Sequence, residues 1–436
     1  MRGYAVASVV LALSAGTALA QTRPAGTPAN PVVSTPPTTD PLAPQPAPGQ
    51  AATTVQPVVA PPVVQLPPPV WQAPQVLELL SYIRGVGKEG LDPRDYDPAV
   101  LDAALKAGDP VAYSAVATST FDKLAKDVAL GHVRGSARVQ WFVKDPDMPE
   151  GRSRTLLDQA FAGEGIAAVL DGLLPTHPQY GSLRQALAKA SKTDTATVAK
   201  IRLNMDRWRW LPRDLGSRYI IVNVPGEHAT LVENGVTRWK NKAIAGATKT
   251  PTPQLAVEAT GVILNPWWEV PPSLSSDVAG KKGYVAVKGK DGKVQRWRQP
   301  PGPGNALGKM KFVMYNPQNI YLHDTNNRGL FDSQARFFSH GCIRTKDILD
   351  LASQLLADDG GEWNAERVQT TLAANKTVQA NFVKKVPVYI VYFSVAALTD
   401  GSIVKYTDLY KRDAPVMAAL MDRDGGTKPA VKSAAK

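Results

Sequence analysis

The residues of this 436-residue chain that are most able to do chemistry lie close together, between His323 and Cys342. His323 is followed, after a gap of fifteen residues, by Ser339-His340-Gly341-Cys342, and Cys342 is the only cysteine of the sequence. A nearby imidazole can generate the thiolate that attacks a carbonyl carbon. A glycine before the cysteine allows a tight turn in which backbone N–H groups point at a developing oxyanion. The pattern predicts a Cys–His nucleophilic site in which either histidine could be the base.

Two other roles compete for these residues. Most free cysteines are small buried hydrophobic residues, and Cys342 could be one of them. His323, His340 and Cys342 are also ligand types that zinc accepts, but no fourth ligand is near in sequence and no second cysteine exists. We therefore expect no metal ion and no cofactor.

The beginning of the chain indicates export. Arg2 precedes an apolar run, and Ala18-Leu19-Ala20 forms a small-x-small cleavage site, so residues 1–20 are expected to be a signal peptide cleaved near Ala20. Residues 21–74 are rich in proline and predict a disordered linker. No later apolar run is long enough to span a bilayer. We expect a periplasmic protein.

The net charge bears on the partners. The chain carries 50 Lys and Arg against 38 Asp and Glu, a formal charge of +12. Because nucleic acids are found in the cytoplasm and this chain is expected to be exported, we expect no nucleic-acid partner. The positive charge would suit binding to an acidic wall polymer, or would simply contribute to solubility. The sequence leaves the oligomeric state open.

The hydrophobic periodicity predicts an α+β fold made of a helical module followed by a mostly β domain. Helical spacing dominates residues 75–200, for example at 76–83, 156–170 and 180–192, and Asp109-Pro110 is typical of a helix start. β-branched runs then dominate residues 201–413. A C-terminal helix and a basic tail are expected over 414–436.

Within the β domain three local features are specific enough to test. Asn234-Gly235 lies between two short β-type runs and predicts a hairpin. Asp400-Gly401 predicts a second hairpin, which would join residues 388–393 to 403–406. The segment 346–356 predicts a helix.

The site residues also resemble the signature of a known family, the L,D-transpeptidases with a YkuD-type catalytic domain. His323, the fifteen-residue gap, Ser339-His340-Gly341-Cys342 and the following Ile343-Arg344 match that signature. Residues 265–273 (NPWWEVPPS), 301–308 (PGPGNALG), 90–93 (GLDP) and 207–212 (RWRWLP) resemble blocks of its YcbB-like branch. The resemblance covers nearly all of 75–413.

This resemblance implies a YkuD-like fold and a role for each site residue. Cys342 would be the nucleophile and His323 its general base, with the backbone carbonyl of Asp324 orienting the imidazole and amides near Gly341 and Cys342 forming the oxyanion hole. The residues implied to bind substrate are Arg344, Ser339, His340, Tyr321, Asn305 and Trp267. Residues 275–299 would form a lid over the site, and the pair Trp208–Trp210 is expected to pack between the two domains.

The activity implied by the resemblance is transfer of peptidoglycan stem peptides of the diaminopimelate type. Cys342 would attack an L,D peptide bond, form an acyl-thioester and pass it to the diaminopimelate amine of a second stem, and carbapenems would acylate the same thiol.

Transfer to water or to a free D-amino acid would instead make an L,D-carboxypeptidase or an exchange enzyme. A wall-binding protein without activity is the alternative of another class, and the intact His323 and Cys342 argue against it. NlpC-type cysteine peptidases have the opposite order, with the cysteine before the histidine.

One departure from the family pattern concerns the choice of substrate bond. Larger YcbB-like members carry a peptidoglycan-binding domain after the helical module, and here residues 191–199 leave no room for one. The lid is also short. Either L,D bond of the stem therefore remains open as donor, which would give 3,3 cross-links or L-Ala to diaminopimelate 1,3 cross-links.

Overall fold

A computed structural model of the chain describes residues 67–144, 148–398 and 400–426. The expected signal peptide, most of the expected linker and the last ten residues of the basic tail lie outside these ranges. Within them, the α+β prediction is confirmed, because a helical region is followed by a mostly β region.

Among the described residues, seven helices lie before residue 210 and four lie after it. Their bounds are α1 Ala73–Gly85, α2 Pro98–Ala107, α3 Pro110–Leu130, α4 Arg152–Gln159, α5 Ile166–Asp171, α6 Pro178–Lys189, α7 Thr195–Arg209, α8 Ser275–Val278, α9 Ile348–Ala357, α10 Ala365–Ala373 and α11 Asp413–Leu420. α3 starts as its sequence predicts, because the Asp109 carboxylate accepts a hydrogen bond from the Val111 N–H at 2.9 Å and Pro110 occupies the first turn.

Two expectations about the helical region need correction. The single helix predicted over 156–170 is broken, because Gly163 and Gly165 have φ values of 120° and 84° that no α-helix contains. The region also contributes a two-residue strand, which pairs with the main sheet.

The strands among the described residues form one large sheet and two small ones. Their bounds are β1 Trp141–Phe142, β2 Arg218–Asn223, β3 His228–Glu233, β4 Val236–Gly246, β5 Gln254–Leu264, β6 Trp268–Glu269, β7 Val285–Lys288, β8 Val294–Gln299, β9 Met310–Val313, β10 Leu322–His323, β11 Phe337–Ser339, β12 Ile343–Thr345, β13 Val378–Val391, β14 Val395–Ala397 and β15 Ile403–Lys405.

The large sheet closes on itself. Its order is β1-β5-β13-β2-β3-β4-β12-β10-β9, with β11 beside β4, and β9 also pairs with β5. Inside it, the Asn234-Gly235 hairpin is confirmed between β3 and β4, since both residues have positive φ (49° and 76°), as a type I′ turn requires.

The second predicted hairpin has a different first strand. Asp400-Gly401 joins β14 to β15, whereas residues 388–391 belong to β13, between β2 and β5 in the closed sheet. The long apolar run of β13 reflects its central position in the sheet and not a hairpin arm.

Helix α9 supports the strand that follows the cysteine. Three of its residues are buried in the same cluster as Ile343 of β12, and the helix therefore packs against that strand. They are Ile348, Leu351 and Leu355. The helix was predicted over 346–356. The segment 275–299 forms α8 and two strands of the small sheet β6-β8-β7.

The helical region and the closed sheet share a packed boundary. Trp208 at the end of α7 stacks between His177 and Phe393, with ring centroids 4.2 Å and 4.4 Å away, and Trp210 is fully buried. Among the described residues, no helix combines the length and hydropathy needed to cross a membrane.

Candidate active site

Strand pairing brings four of the sequence-predicted residues onto one face of the sheet. β10 and β12 are parallel, with His323 opposite Arg344. Because side chains alternate along a strand, Tyr321 shares the face of His323, and Cys342 shares that of Arg344. Leu322 and Ile343, which alternate with these residues, point to the other face and are fully buried. The Tyr321 and His323 rings are 5.6 Å apart, and the Tyr321 hydroxyl is hydrogen-bonded to the Cys342 side chain.

Cys342 is a partly exposed thiol that contacts polar groups. Its sulfur lies 3.5 Å from the Asn319 carbonyl oxygen, and the hydroxyl and backbone N–H of Tyr321 donate to it. Burial raises the pKa of Cys342 to about 11, although the Tyr321 donors and the charges of Lys311 and Arg344 oppose this rise. The thiol is therefore protonated at neutral pH.

His323 is buried and has a defined tautomer. Its Nδ1 lies 2.5 Å from the Asp324 carbonyl oxygen, which can only accept, so Nδ1 carries the proton and Nε2 is left as an acceptor. Burial, and next the positive charge of Arg344, lower the pKa of His323 to about 3. His340, in contrast, is an exposed side chain on the loop before the cysteine.

The backbone of Asp324 is held firmly. Its carboxylate accepts from the Lys309 N–H at 2.9 Å and from the Arg328 guanidinium at 3.1 Å. Gly308, with a φ of 61°, passes so close to this carboxylate that a Cβ would clash with Oδ2. The carbonyl that orients His323 thus depends on the glycine-rich loop before β9.

The two amides of the loop before Cys342 differ in their contacts. Gly341 has a φ of 115°, and its N–H donates to Ser339 Oγ at 3.1 Å. The N–H of Cys342 itself makes no hydrogen bond with any residue that the structure describes. The sequence alone does not tell which of these two adjacent N–H groups lacks a partner, because their directions depend on the φ of Gly341.

Two of the expected substrate-binding residues have structural contacts instead. Asn305 is 1% exposed, and its amide group donates to the Pro266 and Pro300 carbonyls at 3.0 Å and 2.9 Å, so it holds two loops together. Ser339 is buried beneath the loop and accepts from Gly341.

Arg344 and Trp267 keep contacts compatible with binding. The Nε of Arg344 is buried and has no hydrogen-bond partner among the described residues, which leaves a donor beside His323. Trp267 is half-buried, and the Arg298 guanidinium of β8 lies 4.1 Å from its ring. Trp267 therefore packs against the small sheet expected to act as a lid.

A cavity of about 580 Å³ lies next to Asp324. Gly308, Lys309, Thr325 and Arg328 are among its lining residues. The sequence resemblance marked the glycine-rich segment here without indicating a cavity. In the described ranges, no group of three or more His, Cys, Asp or Glu is placed to hold a metal ion.

Two segments of the chain match models of known protein domains, and one of them contains the candidate site. Residues 217–390 match the model of the L,D-transpeptidase catalytic domain, YkuD, and residues 66–187 match the model of a scaffold domain. A curated Haemophilus influenzae protein, provisionally named as an L,D-transpeptidase, is 31% identical over 251 residues, which cover 52% of this chain and 50% of that relative. The chain thus spans about half the length of this relative.

Solved structures of L,D-transpeptidases are also similar to part of the chain. A mutant of the Enterococcus faecium enzyme is 14% identical, with 40% of this chain and 50% of that chain covered and a TM-score of 0.21. L,D-transpeptidase 3 from Mycobacterium tuberculosis is 13% identical, with 40% and 61% covered and a TM-score of 0.22. Cys342 and His323 both lie inside residues 217–390, the segment that matches the model of the L,D-transpeptidase catalytic domain, and this segment follows the match to a scaffold domain at 66–187.

Proposed function

We propose that this protein is a peptidoglycan L,D-transpeptidase in which Cys342 is the nucleophile and His323 the general base. The observation that carries the proposal is the pairing of β10 with β12 inside the matched catalytic domain, which brings the thiol and the imidazole onto one sheet face. The hydrogen bond from His323 Nδ1 to the Asp324 carbonyl supports the base assignment, because it leaves Nε2 to accept a proton.

In the first half-reaction Cys342 Sγ attacks the carbonyl carbon of an L-residue that is bonded to a D-residue. His323 Nε2 accepts the thiol proton as the S–C bond forms, and the carbonyl oxygen becomes an oxyanion. Collapse of this intermediate breaks the C–N bond, and His323 returns the proton to the leaving amine. The D-residue departs, and a thioester remains on Cys342.

In the second half-reaction the diaminopimelate side-chain amine of another stem attacks the thioester. His323 takes a proton from the amine and gives it to the departing Cys342 sulfur, so a new amide forms and the enzyme is regenerated. A small sheet over the site would keep water away, because hydrolysis competes with aminolysis at the thioester. The sheet β6-β8-β7 is the candidate for this lid.

Positive charge around the thiol suits an anionic donor. Arg344 has an unpartnered buried Nε on the face of Cys342, and the Lys311 ammonium lies 5.0 Å from the ring of Tyr321. Stem peptides carry carboxylates, which an arginine binds with paired hydrogen bonds. We assign Arg344 to a stem carboxylate. Export to the periplasm, through the signal peptide near Ala20, would bring the enzyme to this substrate.

Product analysis tests the function. The full chain is incubated with defined disaccharide-tripeptide and disaccharide-tetrapeptide, and the products are identified by mass spectrometry. Cross-linked dimers are expected, and fragmentation distinguishes 3,3 from 1,3 links. Cys342→Ala should give no product, and Tyr315→Phe should keep most of the activity because its ring is 63% exposed and outside the candidate site. Shortened monomers alone would indicate a carboxypeptidase, and product from Cys342→Ala would refute the mechanism.

A further inference from the structure

A buried threonine outside the signature motif contacts the catalytic loop directly. Thr252 lies between β4 and β5 and is fully buried. Its Oγ1 lies 2.7 Å from the Gly341 carbonyl oxygen and 2.9 Å from the Gly246 nitrogen. Since the Gly246 N–H can only donate, Oγ1 accepts from it and gives its own proton to the Gly341 carbonyl.

This hydrogen bond fixes the peptide unit that contains the Cys342 N–H. The Gly341 carbonyl and the Cys342 N–H belong to one planar trans peptide, in which the C=O and N–H bonds point in opposite directions. Holding the carbonyl towards Thr252 therefore directs the N–H of Cys342 away from it. That N–H has no partner among the described residues, and polarisation of the carbonyl strengthens it as a donor.

The threonine is itself held from outside the matched catalytic domain. Its carbonyl oxygen accepts from the Arg412 guanidinium at 2.9 Å, and the Arg412 side chain lies over the rings of Tyr392 and Tyr410. Arg207 of α7 donates to the Arg412 carbonyl at 3.2 Å and to Asp413 at 2.7 Å. A continuous set of contacts thus runs from the end of the helical region to the loop of Cys342.

We propose that Thr252 is a positioning residue that aims the Cys342 N–H at the oxyanion of the acylation step. The proposal rests on the proposed function, because it takes Cys342 as the residue that is acylated. It gives the transpeptidase one oxyanion donor, the amide of the nucleophile, and makes the direction of that donor depend on one hydroxyl group.

The rates of two reactions of the Cys342 thiol distinguish a role in positioning the oxyanion donor from a general role in holding the structure together. Acylation of Cys342 by a carbapenem passes through an oxyanion, whereas alkylation by iodoacetamide does not. Thr252→Val keeps the shape and removes the hydroxyl, and Thr252→Ser keeps the hydroxyl. Both rates are followed by intact mass on the full chain, well below the unfolding temperature of each variant.

We expect Thr252→Val to slow acylation about 100-fold and to leave alkylation within about twofold, since a small misplacement of a catalytic group has an effect of this order. Thr252→Ser should keep most of the acylation rate. Equal slowing of both reactions by Thr252→Val, an unchanged acylation rate, or a serine variant as slow as the valine variant would each overturn the proposal.

The proposed function can fail separately. A wild-type chain that is acylated at Cys342 by the carbapenem but forms no product from muropeptides would refute the transpeptidase function. The acylation and alkylation rates of the Thr252 variants would still test the role of Thr252 in that case. A wild-type chain that is alkylated at Cys342 but never acylated would refute both.

Discussion

At the scale of single residues, Cys342 and His323 form a pair of neutral groups. Burial raises the pKa of the Cys342 thiol to about 11 and lowers that of the His323 imidazole to about 3, so neither is charged near pH 7. A resting thiolate–imidazolium pair would require the opposite shifts. In the proposed mechanism the thiol proton must therefore pass to His323 as the sulfur attacks the bound carbonyl.

This protonation state predicts a pH profile. The rate of Cys342 alkylation by iodoacetamide should rise about tenfold per pH unit from about pH 6 to pH 9, because the thiolate fraction grows by this factor below the pKa. Loss of iodoacetamide-reactive thiol, followed by mass, measures it. The His323→Ala variant should show the same slope. A plateau at neutral pH would contradict the neutral pair.

The hydroxyl of Tyr321 predicts a second effect on the same thiol. Tyr321→Phe removes a donor to the sulfur and should lower the alkylation rate at pH 8 by about tenfold, since hydrogen bonds to charged groups contribute about 1.5–3 kcal/mol. Tyr315→Phe is the matched control, because that ring is 63% exposed. Equal rates in the two variants would show that the hydroxyl does not stabilise the thiolate.

At the scale of elements, the glycine-rich loop before β9 positions the imidazole of His323. Gly308→Ala places a Cβ against the Asp324 carboxylate in a backbone conformation with φ of 61°, so Asp324 and the carbonyl that orients His323 must shift. We expect transpeptidation to fall by about 100-fold. The control is Gly304→Ala in the same loop, whose Cβ meets nothing within 4 Å. Similar activities of the two variants would disprove the positioning role.

The elements also show how far the sequence alone could lead. The Asn234-Gly235 turn and the start of α3 follow from local backbone preferences, and the residues of the signature lie inside the segment that matches the catalytic-domain model. The first strand of the Asp400-Gly401 hairpin was predicted wrongly, because residues 388–391 pair with strands far away in the chain and an apolar run has the same sequence pattern in a hairpin arm as in a central strand. Which of the two adjacent amides of the loop lacks a partner depends on the backbone conformation at Gly341, which residue types alone do not give.

At the scale of the whole molecule, buried polar groups connect the helical region to the C-terminal segment. His132 Nδ1 contacts the Asp127 carboxylate and its Nε2 contacts the Asp422 carbonyl, each at 2.8 Å. Both partners accept, so the imidazole is held with two protons. Burial lowers the pKa of His132, but the hydrogen bond and charge of Asp127 outweigh it and raise this pKa to about 9.

This raised pKa predicts a pH-dependent stability. The protonated imidazole stabilises the fold fully below about pH 6.5, its unperturbed value, and the stabilisation disappears as the pH rises through about 9. The difference in free energy of unfolding between wild type and His132→Asn should be about 2–3 kcal/mol larger at pH 6 than at pH 10. Denaturant unfolding at the two pH values measures it.

His177→Asn is the matched control for this prediction. Burial lowers the pKa of His177 to about 4, so this imidazole is neutral in both the folded and the unfolded chain above about pH 7. The effect of His177→Asn on stability should therefore be constant between pH 7.5 and pH 10. A constant effect of His132→Asn over the range from pH 6 to pH 10 would show that its charge does not hold the two regions together.

The central claim is that Cys342 carries the acyl group of a stem peptide, and one measurement tests it most directly. The full chain is mixed with disaccharide-tetrapeptide, quenched in acid within the first turnover and examined by intact and peptide mass spectrometry. We predict a mass increase equal to the mass of the donor minus that of the amine it releases, located on the peptide that contains Cys342. The released amine is the terminal D-amino acid if the second L,D bond is the donor and the whole segment after L-Ala if the first one is. Product formed without this adduct, or with the acyl group on another residue, would contradict the account.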